Sequence, residues 1–270
     1  MSVGAQDQTW LRASCTLCFD VAVPTPLVLM LRPRSGPGQW IAREDYRLKP
    51  AVPVVEFTDG FGNLCQRLVA PVGDFRLHTS AEVMVRSIPV PTQAHFIEVP
   101  DLPDEVLGYL LPSRYCESDR MGELAHSIVG NIDPGLGQVR ALTDWVGRQI
   151  RYVPGSSSYP VSASEVIDRG EGVCRDLAQV VIALCRALCI PARLVVGYVH
   201  ALQPMDVHAW VEAYVGHRWY PFDPSYRVSG PRITIAHGRD ATDVAIYNQF
   251  GPLLLPYDMR VGVEMLTEPP

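Results

Sequence analysis

No apolar run in this chain is long enough to cross a bilayer. PLVLML (26–31) and VVIALC (180–185) are among the longest, against roughly 20 residues for a spanning helix. Positive charge is also short. Lys and Arg number 23 against 29 Asp and Glu, a net charge of −6 with a pI near 5.6, so neither nucleic acid nor an anionic membrane surface would gain from contact with it. Small molecules, peptides and proteins remain as expected partners. The opening residues, MSVGAQDQTWLR, carry neither the basic nor the apolar region of a secretory leader, which points to the cytoplasm. Cysteine is too sparse for a disulfide scaffold: seven, an odd number, scattered along 270 residues, suit free thiols in a reducing compartment. No internal repeat is evident.

What is present is apolar content sufficient for a substantial core, 47% of residues, in one large domain or two modest ones. From Thr9 to about Ser87 short β-like runs are broken by Pro and Gly, as in SCTLCFDVAV, LVLMLR and RLHTSAEVMVRS. This pattern predicts an antiparallel sandwich over residues 1–88. Residues 89–112 include Pro89, Pro91, Pro100, Pro103 and Pro112 and read as an extended connector, because each proline removes a backbone donor.

Over residues 113–270, taken as the second domain with a C-terminal extension, the period turns helical. SDRMGELAHSIVG (118–130) opens with a Ser-Asp cap signal, and GQVRALTDWVGRQIRYV (137–153) spaces Val139, Leu142, Val146 and Ile150 as one buried stripe. A short helix is expected from Ser162 or Ser164, and another from Cys174 until Pro191. ARLVVGYVH (192–200), VHAWVEAYV (207–215) and RWYPFD (218–223) have the β-branched and aromatic content of strands.

Cys174 stands where a glycine-containing bend, GEGVC (170–174), passes into that helix. The positive end of a helix favours thiolate over thiol. Arg175 would add to this and Asp176 oppose it, while Gly170 and Gly172 would leave room for a substrate near the backbone. The competing reading is a packed thiol, on one stripe with Leu177, Ala178, Val181, Cys185 and Cys189. Its partners decide between the two. If Gly216-His217 is the turn of a hairpin, Val215 faces Arg218, and His208 and Asp223 fall on one face a diagonal step apart. A thiol nucleophile needs such an imidazole to handle its proton and such a carboxylate to orient the ring. A register slip of one residue would separate them.

The sequences GEGVCRDLAQVVIALCRALCIPARLVVGY, VHAWVEAYV and WYPFDPS, in this order, resemble the transglutaminase-like superfamily of papain-like fold, in particular its bacterial members. The resemblance covers about residues 110–250, and FTDGFGN (57–63) is similar to the β-rich domain that commonly precedes such cores. It implies an α+β fold in which a Cys-bearing helix packs on an antiparallel sheet. It further implies Cys174 as nucleophile, His208 as general base and acid, and Asp223 as orienting carboxylate, acting on a peptide, isopeptide or side-chain amide through a thioester. The Cys174 N–H is a candidate oxyanion donor, with Tyr152 and Tyr159 as candidates for the second. No cofactor or metal is implied, because no acidic cluster has calcium-loop spacing. Cys15 and Cys18 form a C-x-x-C pair, but residues three apart in a strand face opposite ways and no second pair follows.

Hydrolysis is expected over amine transfer, since transfer needs an additional site that excludes water. The alternatives are a protein-glutamine amine acyltransferase and a non-catalytic peptide-binding module. Trp210, Trp219, Tyr198 and Tyr220 are read as core or as groove lining, and His200 and His217 as solvent-facing, with His200 able to border the cleft.

Overall fold

The computed structural model describes residues 8–157, 159–225 and 230–270; the leader question raised by the first twelve residues falls largely outside this range. The fold is α+β. Its N-terminal half comprises β1 (Gln8–Val21), β2 (Thr25–Leu29), β3 (Gln39–Lys49), β4 (Val55–Thr58), β5 (Leu64–Ala70) and β6 (Gly73–Arg86). Alternation, broken only by buried Cys18, turns β1 into a wall: Leu11, Ala13, Cys15, Leu17 and Phe19 are buried and pack with Phe75, Leu77, Ala81 and Val83 of β6 and with Leu27, Leu29 and Leu68 of the second sheet. Side chains with a period of two leave one face for the core and one for water. The result is a pair of four-stranded antiparallel sheets sharing one interior.

Each of those sheets is completed from the far end of the sequence. After the second half come β13 (Tyr247–Gln249) and β14 (Asp258–Met265). The sheet orders are β14-β1-β6-β3 and β13-β2-β5-β4, with Leu11 opposite Met265 and Leu29 opposite Tyr247. Residues 247–265, grouped by sequence with the second domain, therefore return to the first. The physical reason is that β1 and β2 would otherwise present bare edges, and short strands find their partners by register rather than by proximity in sequence.

The proline-rich stretch also differs from an extended connector. Pro103 caps α1 (Asp104–Leu107), Pro100 lies in the first turn of a 3-10 helix over Val99–Asp101, and Ile97, Leu102 and Val106 are buried against Tyr214. Proline preorganises these turns at positions where its missing donor costs nothing, and the apolar residues between them dock the segment.

In the second half, α2 (Gly122–Val129), α3 (Leu136–Gln149) and α4 (Ala163–Arg169) pack around α5 (Cys174–Ala187), which lies on a sheet of β9 (Ala192–Val199), β10 (Val207–Val215), β11 (Arg218–Phe222) and β12 (Arg232–Gly238), ordered β11-β10-β9-β12. A two-stranded parallel pair, β7 (Arg151–Tyr152) with β8 (Glu171–Gly172), lies just upstream of α5. Ser162 caps α4 by accepting from the Glu165 N–H, and Gly170 ends that helix in the left-handed region at φ 66°. The predicted stripe of α3, Val139, Leu142 and Val146, is buried. Helix α5 stops before Pro191, because Cys189 adopts a positive φ of 57°. Its residues Leu177, Ala178, Val181 and Cys185 share the core with Ala209, Val211 and Ala213 of β10.

β12 is an edge strand, and the sandwich closes its free side with two amide side chains. Gln39 accepts from the Thr234 N–H (2.8 Å) and donates to the Thr234 carbonyl (2.8 Å). Asn63 does the same at His237, at 2.9 and 2.8 Å. An amide presents one donor and one acceptor in the spacing of a neighbouring strand, so these residues stand in for a fifth strand. Nearby, the Tyr198 hydroxyl donates to the Leu31 carbonyl at 3.0 Å. One core thus runs through both halves.

Two stability predictions follow from this packing. A Cβ at Gly197 would sit 2.0 Å from the Ile233 carbonyl oxygen and 2.8 Å from the Trp210 ring; Gly197→Ala is expected to destabilise by about 1–3 kcal/mol, the usual cost of overpacking, measured by urea unfolding. The double variant Gln39→Ala/Asn63→Ala leaves two β12 backbone pairs without protein partners and is expected to cost about 1 kcal/mol per amide. An unchanged urea midpoint would show that water serves that edge equally well.

Candidate active site

Cys174 is the first residue of α5, half-buried, with Val173 as the extended N-cap. A valine side chain cannot cap, and the task falls to Asp176. Its Oδ2 accepts from the Val173 N–H at 3.1 Å, and its Oδ1 accepts from Arg175 Nε at 3.0 Å. This is half of a capping box. Arg175 continues to Ser157 Oγ (2.8 Å) and the Tyr159 carbonyl (3.0 Å), tying the upstream loop to the helix start. The Asp176 carboxylate, fully buried, therefore does not simply oppose a charge on the thiol; its own charge is balanced by the cap and by Arg175.

The role of Gly172 also differs from the expectation of space for a substrate. A Cβ there would lie 2.9 Å from Asp176 Cβ and 3.2 Å from Leu177 Cδ1. The space is filled by this inward fold of Asp176, and glycine is needed so that the cap can form.

The hairpin has the predicted register. Val215 pairs with Arg218 and Val211 with Phe222, joined by Gly216 and His217 at φ 55° and 61°, as a two-residue turn of the primed type requires. The β10–β11 ladder ends at Val211 and Phe222. Just beyond that end, His208 Nε2 lies 2.7 Å from Asp223 Oδ2, and the Cys174 side chain is near enough to act on the same imidazole. Thiol, imidazole and carboxylate, from three separate elements, are in one place. His208 is 1% exposed and the Asp223 side chain 5%.

Burial is the largest influence on the His208 imidazole and pushes its pKa down. The hydrogen bonds and charges of Asp223 and Cys174 together outweigh it and raise the group to about 9. Asp223 shows the converse: burial pushes it up, but His208, Arg232 and Ser225 bring it below the usual carboxylate range. The two shifts agree in meaning. An imidazolium and a carboxylate face each other at neutral pH, each holding the other charged.

Asp223 has further partners that the sequence reading did not name. Its Oδ1 accepts from the Ser225 N–H (3.1 Å) and Ser225 Oγ (2.7 Å). The local signal was legible, since Asp-Pro-Ser spells a side-chain-stabilised turn. Arg232 at the start of β12 lies 3.6 Å from Oδ2, and nothing local to either residue announces that contact. A cavity of about 390 Å³, lined by Thr143, Asp144, Gly147 and Arg148 of α3, adjoins Asp223, Pro224 and Ser225.

The tyrosine candidates separate. Tyr152 pairs with Gly172 two residues before Cys174 and packs on the core. Tyr159 is 58% exposed, and it is its backbone carbonyl that serves the site, through Arg175. Trp210, Tyr198 and Tyr220 are buried, whereas Trp219 stacks under Arg193 beside a cavity of about 350 Å³ that also touches Tyr109 and His237. His200 follows β9 and is half-buried; His217 is exposed in the turn and packs edge-on to His95. Burial pushes the thiols of Cys15, Cys116 and Cys185 up to about 12 and that of Cys65 to about 11, which suits packed side chains.

Residues 122–224 match the model of the family described as the transglutaminase-like superfamily. A crystal structure of a candidate cysteine protease from Cytophaga hutchinsonii superposes with a TM-score of 0.91 at 33% identity, covering 97% of this chain and 92% of that one. An uncharacterized protein of Mycobacterium leprae is 28% identical over 234 residues, 80% of this chain and 82% of its own length. With a thiol at a helix start, a buried imidazole–carboxylate pair beside it, and likeness of sequence and fold along nearly the whole length, the chain belongs to the transglutaminase-like superfamily and is a cysteine enzyme.

Proposed function

We propose that this protein hydrolyses an amide, of a peptide, an isopeptide or a side chain, through a thioester on Cys174. The observation that carries the reading is the buried His208–Asp223 pair at 2.7 Å with the thiol of Cys174 on the same imidazole. Because Nε2 is engaged by the carboxylate, Nδ1 is the ring nitrogen that serves the sulfur. The sulfur stands at the start of α5 beside that imidazole, the arrangement in which a thiol hands over its proton before attack. The family match over residues 122–224 and the likeness to the Cytophaga hutchinsonii cysteine protease candidate are consistent with this chemistry.

The steps balance as acyl transfer. The Cys174 thiolate attacks the amide carbonyl carbon, and in this reading the charge that develops on oxygen is met by the backbone N–H of Cys174 and by Tyr152, whose strand pairs with Gly172 two residues before the nucleophile. The C–N bond then breaks, the leaving nitrogen takes the proton from His208, and an acyl thioester remains. Water attacks that thioester, His208 takes the water's proton, and the acid is released with regeneration of the thiolate–imidazolium pair. Asp223 orients the ring and supports its charge throughout.

The test is intact-mass trapping of an acyl adduct on Cys174 from a peptide library. An adduct that decays in water to free acid is expected, and Cys174→Ala should give none. Decay that requires an added amine would instead identify an acyltransferase, and absence of any adduct would leave a binding module. In the same assay His208→Ala is expected to lower adduct formation by at least about 100-fold, a magnitude typical of lost acid–base catalysis.

The pH dependence has a definite sign. His208 is raised to about 9, so its proton is present below that value and lost as pH rises through it. Turnover of any peptide amide found in the library should therefore fall on the alkaline side near pH 9. Asp223→Asn removes a group that raises His208 and is expected to move that limb to lower pH. An alkaline limb that does not move in this variant would count against Asp223 acting through the imidazole.

A further inference from the structure

The pair of His208 and Asp223 is not closed. Arg232, the first residue of β12, brings its guanidinium to 3.6 Å from the same Asp223 oxygen that faces the imidazole. The guanidinium lies over the indole of Trp210, 5.3 Å from the ring centroid. That indole in turn lies nearly parallel to the His208 ring, at 6.5 Å and 22°. Four side chains from β10, β12 and the segment after β11 thus form one packed unit: carboxylate in the middle, imidazole on one side, guanidinium on another, and the indole facing the guanidinium and nearly parallel to the imidazole. Trp210 is 1% exposed and the Arg232 side chain 16%.

We propose that Arg232 is a positioning residue for the active site, holding the Asp223 carboxylate ionised and aimed at His208 Nε2. A nearly buried carboxylate retains its charge only where several donors or cations meet it. Ser225 occupies Oδ1 with two hydrogen bonds, while Oδ2 has the imidazole at 2.7 Å and Arg232 a step further out. At 3.6 Å the guanidinium supplies charge without drawing the oxygen out of its shorter bond to the imidazole. The planar cation is kept at that distance by its seat on the indole, which an ammonium would not use in the same way. The guanidinium contributes to holding Asp223 below the usual carboxylate range; as a second cation it also repels the imidazolium directly, so its service to His208 is geometric, and a fall of the His208 pKa on its removal would report a carboxylate no longer aimed at Nε2. The inference rests on the reading of Cys174, His208 and Asp223 as one reactive group.

Among the described residues, the other titratable and charged groups around the unit include Cys174 on α5, Asp206 ahead of β10, Glu212 on β10, which acts on Arg232, and Asp144 and Arg148 of α3 across the cavity beside Asp223. None of these changes in the variants below.

The test is NMR titration of the His208 imidazole in the full chain, with the resonance assigned by loss in His208→Ala. Arg232→Gln keeps much of the side chain's length but not its charge. It is expected to lower the His208 pKa from about 9 by about one unit, tenfold in proton affinity, towards the value in Asp223→Asn. The double variant Arg232→Gln/Asp223→Asn should fall no further than Asp223→Asn alone. A His208 value unchanged or raised in Arg232→Gln would overturn the proposal, as would additive effects in the double variant. If Arg232→Gln lacks a native near-UV circular dichroism spectrum, Arg232→Lys is read instead, with a smaller fall expected and an unchanged value overturning the proposal. The titration requires no turnover, so it can fail while thioester formation on Cys174 stands, and the reverse.

Discussion

A charged imidazole and a charged carboxylate, both taken out of water and placed 2.7 Å apart, are the constraint around which the second half of this molecule is arranged. Such a pair is costly unless every remaining donor and acceptor is met. The structure meets them from separate elements: the turn after β11 supplies Ser225, the start of β12 supplies Arg232, and the start of α5 supplies the thiol. The same burial that would neutralise an isolated histidine here sharpens its coupling to Asp223, and the net result is an imidazole that keeps its proton at neutral pH.

The helix that carries the sulfur is fixed with comparable economy. The carboxylate at its third position is turned back onto the N-cap amide, and this is possible only because residue 172 has no side chain. Arg175 then joins that carboxylate to the loop around Tyr159. One buried charge therefore fixes the helix start and the segment leading to it, and the thiol is left at the one point of the helix where unsatisfied N–H groups gather.

The β-sandwich contributes to the site indirectly. Gln39 and Asn63 cover the outer edge of β12, β12 pairs with β9, and β9 provides the glycine that lies opposite His208 and beneath Trp210. The strand that carries Arg232 is thus held on one side by the core sheet and on the other by two side chains of the sandwich. The return of β13 and β14 to the sandwich sheets closes both halves into one hydrophobic core.

Much of this was legible in sequence, for a physical reason. Alternation in β1 and β6, the three- and four-residue spacing of α3, the Ser162 cap and the Gly216-His217 turn are local rules, each determined by a few adjacent residues, and the hairpin register placed His208 and Asp223 on one face. What the sequence could not determine was contact between distant segments. The pairing of β14 with β1, the docking of the proline-rich stretch, the inward fold of Asp176 over Gly172 and the reach of Arg232 to Asp223 depend on which surfaces meet once the core has closed. Local propensity and period determined the elements and put His208 and Asp223 on one face, and family resemblance linked them to Cys174; tertiary packing alone decided how these groups are charged and held, because burial and charge–charge distance exist only in the folded molecule.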